Sequence, residues 1–173
     1  MQDFVHLHVH TQYSLLDGQA SVSRLVDKAM KDGMKGIAVT DHGNMFGIKE
    51  FTNYVNKKNS GPKGEIKDLK KRIAGIESGE IECEDKEAEI ADCRAKMAEA
   101  QSKLFKPIVG CEMYVARRTM DKKEGKPDQS GYHLIVLAKN EKGYHNLIKL
   151  VSHAWTRAVS YTHLRAHETR SNL

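Results

Sequence analysis

Four histidines fall in two short stretches that read as the ends of strands, and that placement restricts the fold more than any other feature of the chain. In Phe4-Val5-His6-Leu7-His8-Val9-His10 the residues alternate. Side chains two apart on a strand share a face, so a strand over 3–10 sets Val5, Leu7 and Val9 on one side and Phe4, His6, His8 and His10 on the other. The fourth histidine lies in Thr40-Asp41-His42-Gly43, directly after Gly36-Ile37-Ala38-Val39, an apolar, β-branched run that reads as a buried strand. Between them Ser21 is placed as an N-cap, Val22, Leu25, Val26, Ala29 and Met30 follow helical spacing, and Gly33 ends the helix. A second helix is expected over 44–56, carrying Phe46, Phe51 and Val55. Strand, helix, strand, helix is the signature of an α/β fold. It favours parallel pairing through right-handed crossovers, with polar chemistry at the carboxyl edge of the sheet.

The pattern breaks over 59–104. Asn59-Ser60-Gly61-Pro62-Lys63-Gly64 reads as a turn-rich boundary. Beyond it Ile66, Leu69, Ile73 and Ile76 step by threes and fours, as do Ile90, Cys93, Met97, Ala100 and Leu104, with Ser78-Gly79-Glu80 between them. Two amphipathic helices in an antiparallel hairpin are expected, with a narrow apolar seam and mixed charge elsewhere. Such an insertion is either a partner-binding arm or a solvated segment, and its charges favour the second. The α/β pattern resumes with a strand over 106–115 bearing Glu112, a strand over 132–138 starting at His133, and a helix opening at Asn140 with Tyr144, Leu147, Ile148 and Val151. Residues 157–173 show neither caps nor period and match what a transposase-type sequencing adapter encodes, so they are expected to be a non-native tail outside the domain of 1–156.

The net charge of +5 includes +2 from that tail, leaving the rest barely basic and giving weak electrostatic reason to expect nucleic acid. No apolar run approaches a membrane span and no signal peptide is apparent at the first residues. Cys83, Cys93 and Cys111 form no Cys-x-x-Cys and cannot all pair, which points to a reduced, cytoplasmic setting.

His8, His10, His42, Glu112 and His133 are nitrogen and oxygen donors, and imidazole with carboxylate suits zinc, manganese or iron. Cys111 neighbours Glu112 but points to the opposite side of its strand, so thiolate is outside the set. Two or three ions so held lower the pKa of a bound water from about 15.7 towards about 7 and clamp the oxygens of a phosphoester. Asp41 either bridges ions or orients His42 from behind. His6 shares the face of His8 and is a candidate supporting residue. His145 and His153 read as ordinary helix positions.

The blocks His8-Val9-His10, Thr40-Asp41-His42-Gly43 and Gly110-Cys111-Glu112 resemble the first motifs of the PHP (polymerase and histidinol phosphatase) superfamily. The match extends through Tyr13-Ser14-Leu15-Leu16-Asp17-Gly18, Asn44-Met45-Phe46-Gly47, Lys106-Pro107-Ile108-Val109 and Leu137-Ala138-Lys139-Asn140-Glu141-Lys142-Gly143-Tyr144. In that order the blocks resemble the N-terminal domain of bacterial replicative DNA polymerase III alpha subunits over 3–156, apart from the charged hairpin. The resemblance implies a distorted (β/α)7 barrel, incomplete in this chain, with up to three divalent ions held by His8, His10, Asp17, His42, Glu112 and His133. It implies metal-dependent 3′–5′ exonuclease chemistry, with His8, His10, His42 and Glu112 central to it. It also implies DNA, a proofreading exonuclease and a sliding clamp as partners. The later Asp-x-His of the family does not occur in this sequence, nor does a polymerase centre, so the chain reads as a front-end fragment. A stand-alone phosphatase of the histidinol-phosphatase type and a metal-stabilised structural module are the rival readings.

Overall fold

The computed structural model describes residues 4–118 and 131–157 together with the backbone of 163–164. It is a mixed α/β structure. The chain divides into two compact units, one made of Met1–Thr52 with Pro107–Leu173 and the other of Asn53–Lys106.

In the first unit, β1 (Gly36–Val39) is buried at every position, and β2 (Lys106–Val115) lies beside it, with β3 (Tyr132–Leu137) on the far side of β2. Glu112 donates its amide to the Asp41 carbonyl and accepts from Gly43, so the chain after β1 runs parallel to β2. β3 is antiparallel to β2, with Glu112 opposite Ile135 and Tyr114 opposite His133. A two-residue strand, β4 (His163–Leu164), pairs in parallel with Tyr114 and Val115. Beyond β4 and Arg157, the expected tail of 157–173 lies outside the described residues. The expectation of parallel pairing therefore holds at β1 and β2 and fails at β3, where β2 and β3 meet as an antiparallel pair.

Helix α1 (Val22–Lys31) follows Ser21 and turns Val22, Val26 and Ala29 inward, one stripe at helical spacing. Gly33, at φ 78°, sits just beyond its end. Helix α5 (Glu141–Arg157) starts where the Asn140 side chain accepts the Gly143 amide, and it lays Leu147, Leu150, Val151 and Ala154 against Cys111 and Met113 of β2 and Val136 of β3. Burying each Leu or Val of that layer contributes roughly 1.5–3 kcal/mol. Because Cys111 and Met113 point into this core, the alternation of β2 turns Glu112 and Tyr114 to the opposite face.

Two expected elements differ. Of the strand expected over 3–10, the described residues 4–10 form no regular strand: the chain bends at Leu7, which is half exposed. Ala38 donates to the His6 carbonyl but Thr40 donates to that of Val9, so three steps on one chain face two on the other. That surplus residue is a bulge, and it cancels the strict alternation that would have put His6 beside His8. The helix expected over 44–56 begins later, as α2 (Ile48–Lys58), because the Asn44 carboxamide accepts the Phe46 amide and holds a turn there.

In the second unit the expected turn-rich boundary collapses to one residue. α3 (Ser60–Ser78) starts immediately after Asn59, with Pro62 tolerated in its first turn. Gly79, left-handed at φ 82°, ends α3, and the Asp85 carboxylate caps α4 (Lys86–Ser102) by accepting from Ala88. α3 and α4 pack against each other, with Ile76, Cys93 and Ala100 buried. The buried Asn59 side chain donates to the Phe105 carbonyl at 2.8 Å and accepts its amide at 2.9 Å, tying the two ends of the hairpin together. Asn59→Ala leaves both backbone groups of Phe105 unpaired and is expected to lower stability by about 1–3 kcal/mol, read as a fall in the thermal unfolding midpoint with helix content retained.

Candidate metal centre

The centre is built around the carboxylate of Glu112. It is buried, held in mid-sheet by β1 and β3 on either side, and its Oε2 is approached by His8 Nε2 at 2.7 Å, His10 Nε2 at 2.8 Å and His133 Nε2 at 3.0 Å. His8 Nε2 and His10 Nε2 lie 3.2 Å apart. The other oxygen, Oε1, is 2.9 Å from His42 Nδ1 and accepts from the Tyr114 hydroxyl at 3.3 Å. Asp17 closes the ring, with Oδ1 3.1 Å from His10 Nδ1 and Oδ2 3.4 Å from His42 Nδ1. The structure thus gathers His8, His10, Asp17, His42, Glu112 and His133 from five places in the sequence.

Imidazole nitrogens this close together on one oxygen outnumber the lone pairs available to receive them. Ligands about 2.1 Å from a common cation stand about 3–3.4 Å from one another, close to the spacings seen here. The donor atoms of His8, His10 and Glu112 all lie within 4.8 Å of each other, so the residues present fit a divalent cation. Burial by itself would raise the Glu112 carboxyl; hydrogen bonds from His133, His8 and His10, and the charge on His10, outweigh it and bring the group down to about 2. Tyr114 is pushed above its ordinary value by burial and by the neighbouring Glu112 carboxylate, so its phenol stays protonated. Cys111 is raised to about 12 by burial, then by Asp41 and Glu112, and its thiol points into the core, away from the donor set.

The remaining expected residues have other tasks. Asp41 is buried and its oxygens are already taken: Oδ1 accepts from the Thr11 amide at 2.6 Å and the Ser14 hydroxyl at 2.7 Å, and Oδ2 from the Thr11 hydroxyl at 2.8 Å. Ser14 Oγ in turn accepts from the His42 amide at 3.0 Å. Of the two roles open to Asp41, orientation of His42 is the one this geometry favours, through the main chain and Ser14. His6 does not join the centre. Its ring meets that of Phe4 edge-on at 4.7 Å, because the bulge has rotated it out of step with His8.

Two glycines are required by shape. A Cβ on Gly18 would lie 1.9 Å from the Thr11 carbonyl oxygen, so only glycine lets the loop carrying Asp17 fold back on Thr11. Gly43 takes φ 63° as the chain turns away after His42. Thr11, Ser14 and Tyr114 were not anticipated from the sequence. Tyr114 carries a usable signal, since it stands two residues from Glu112 on the same face of β2; Thr11 and Ser14 carry none, because only the folded loop brings them to Asp41.

A model of the PHP domain matches residues 6–172. The chain belongs to the PHP domain family. Among curated proteins it is 38% identical over 159 residues to the DNA polymerase III subunit alpha of Borreliella burgdorferi, a match that covers 91% of the chain and 10% of that protein. It is similarly related to the subunits named DNA polymerase III subunit alpha from Treponema pallidum (37% identical, 91% of the chain, 10% of that protein) and Aquifex aeolicus (31% over 166 residues, 92% of the chain, 10% of that protein). This PHP domain chain therefore spans about a tenth of the length of those relatives. Among the described residues no helix is long and apolar enough to cross a membrane.

Glu112 is expected to remain ionised as pH falls through 4 and to take up its proton only near 2. Its folded value lies below the unfolded one, so the stability it contributes is present above the ordinary carboxylate range and lost as pH falls towards the folded value. Carboxyl carbon shifts followed by NMR across pH 2–7 check this. Asp41→Ala should cost on the order of 3 kcal/mol in chemical denaturation, since Thr11 and Ser14 are left with unpaired buried donors.

Proposed function

We propose that residues 1–156 are the front part of the PHP domain of a bacterial replicative DNA polymerase III alpha subunit. In this reading they form an incomplete distorted (β/α)7 barrel, 59–104 is a charged insertion and 157–173 a non-native tail. The whole protein would be a cytoplasmic DNA-directed DNA polymerase working with DNA, a proofreading exonuclease and a sliding clamp. The chemistry proposed for the chain itself is hydrolysis of a phosphodiester at a DNA 3′ end, dependent on zinc, manganese or iron. The observation that carries this reading is the approach of three imidazole nitrogens to a single oxygen of buried Glu112. The names of the similar proteins support the replicative context.

His8, His10, His42 and Glu112 would hold up to three ions, with Asp17 and His133 completing the set. Bound there, divalent ions would supply a water that ionises near neutral pH and positive charge beside the phosphoryl oxygens. Glu112, dry and strongly acidic, keeps a permanent negative charge at the middle of the set. Tyr114, hydrogen-bonded to Oε1, limits the directions in which that carboxylate can rotate. Asp41, through Ser14, keeps His42 at the mouth of the site, where Asp17 also stands.

Metal content measured on the purified chain, followed by digestion of 3′-labelled single-stranded DNA with and without chelator, tests the proposal. Bound metal and chelator-sensitive digestion that falls at least about 100-fold in His8→Ala and in His42→Ala are expected. Metal retained without digestion favours a structural module. Turnover of a small phosphomonoester in place of DNA favours the phosphatase alternative, and a folded chain that binds no metal sinks the proposal. Adapter sequence in the encoding DNA just past the Thr156 codon is expected for the tail; uninterrupted genomic reads would refute it.

A further inference from the structure

We propose that the apolar cleft beside the imidazole cluster is a nucleobase subsite, in which the base of the nucleotide whose ester lies at the imidazoles stacks against Phe46 and Trp155. The inference rests on the phosphoesterase reading above. The cleft encloses about 430 Å³ between Leu15 and Leu16 of the loop after His10, Phe46 of the turn after His42, and Trp155 of α5. Asp17 and His42 belong to both places: they line the cleft and they touch the cluster. A group seated in the cleft is therefore covalently within reach of a phosphoester at the imidazoles.

The chemistry of the lining selects a flat, aromatic occupant. Leu15 and Leu16 are 90% and 101% exposed, Phe46 66% and Trp155 46%, an unusual concentration of apolar surface next to a polar centre. Away from Asp17 and His42, the polar groups of Trp155 and Asn44 are already engaged. Trp155 Nε1 donates to the Gly43 carbonyl at 2.7 Å, and the Asn44 side chain donates to the Tyr13 and His42 carbonyls while accepting from Phe46. What the cleft offers is ring faces, with few hydrogen bonds to spare. The Phe46 and Trp155 centroids stand 6.3 Å apart with planes inclined at 49°, and the bond to Gly43 sets the indole in place before anything binds. Faces without spare donors suit base stacking, which tolerates any base because every base has a π face. An apolar peptide or a second copy of the chain seated here would also cover Asp17 and His42 and close the centre to a phosphoester, which makes a base the occupant compatible with catalysis.

Trp155 is the only tryptophan in the chain, so its fluorescence reports directly on the cleft. Titration of the purified chain with thymidine 5′-monophosphate, without added metal, is expected to quench the emission saturably, whereas 2-deoxyribose 5-phosphate leaves it unchanged. Phe46→Ala should weaken the quenching by about tenfold, as should Phe46→Leu, which preserves bulk but removes the ring. Equal quenching by both ligands, no quenching by either, or an unaltered response in a folded Phe46→Leu chain would overturn the subsite. So would concentration-dependent self-association that shields Trp155 in sedimentation runs. Because the titration requires neither metal nor turnover, it can fail while chelator-sensitive digestion persists, and digestion can fail while base binding persists, so the two readings fall separately.

Discussion

A carboxylate removed from water must be compensated on the spot, and the arrangement around Glu112 is the form that compensation takes in this chain. Desolvation disfavours the anion, yet nitrogens from four histidines and a phenol face it, and the group ends more acidic than in water. Most of the local architecture follows from keeping those partners aimed at one point. The antiparallel register brings His133 and Tyr114 across from one another on the face that carries Glu112. The parallel contact with the end of β1 brings in His42. The bulged segment supplies His8 and His10.

Behind this first layer stands a second, made of small polar residues. Asp41, which the sequence leaves open as a bridge between ions or as support for His42, has its oxygens occupied by Thr11 and Ser14, and the effect is to lock the loop of 11–18 onto the end of β1. Gly18 is needed for the same closure, because any side chain would strike the Thr11 carbonyl. The loop in turn carries Asp17 to His10 and His42, and Leu15 and Leu16 to the cleft. A short polar network thus decides both where a carboxylate reaches the imidazoles and where apolar surface stays open.

The charged helix pair of the second unit follows different rules. Its helices pair through a thin seam in which Ile76, Cys93 and Ala100 are buried, and its surface carries ion pairs such as Arg72 with Glu89 and Lys96 with Asp92. Exposed pairs of this kind contribute little to stability. Its ends are held by the two hydrogen bonds between Asn59 and Phe105, a specific device that no periodicity in the sequence reveals.

What the sequence determined by itself is the set of residue types and their local periods. Helical spacing from Val22 to Ala29, the β-branched run of β1, the hairpin seam and the alternation of β2 all survive folding, because each is a property of neighbours a few positions apart. The donor types at His42, Glu112 and His133 were legible for the same reason, each lying at or near the end of a readable element, whereas His8 and His10 were read from an alternation that does not become a regular strand. Only the tertiary structure decided what depended on register. Whether residues 6–9 meet β1 with one residue to spare cannot be read from alternation, and that single residue removed His6 from the centre. The commitment of Asp41 to Thr11 and Ser14, and the meeting of Phe46 with Trp155 across more than a hundred positions, likewise arise from contacts between distant segments, whose partners are chosen by packing and not by local pattern.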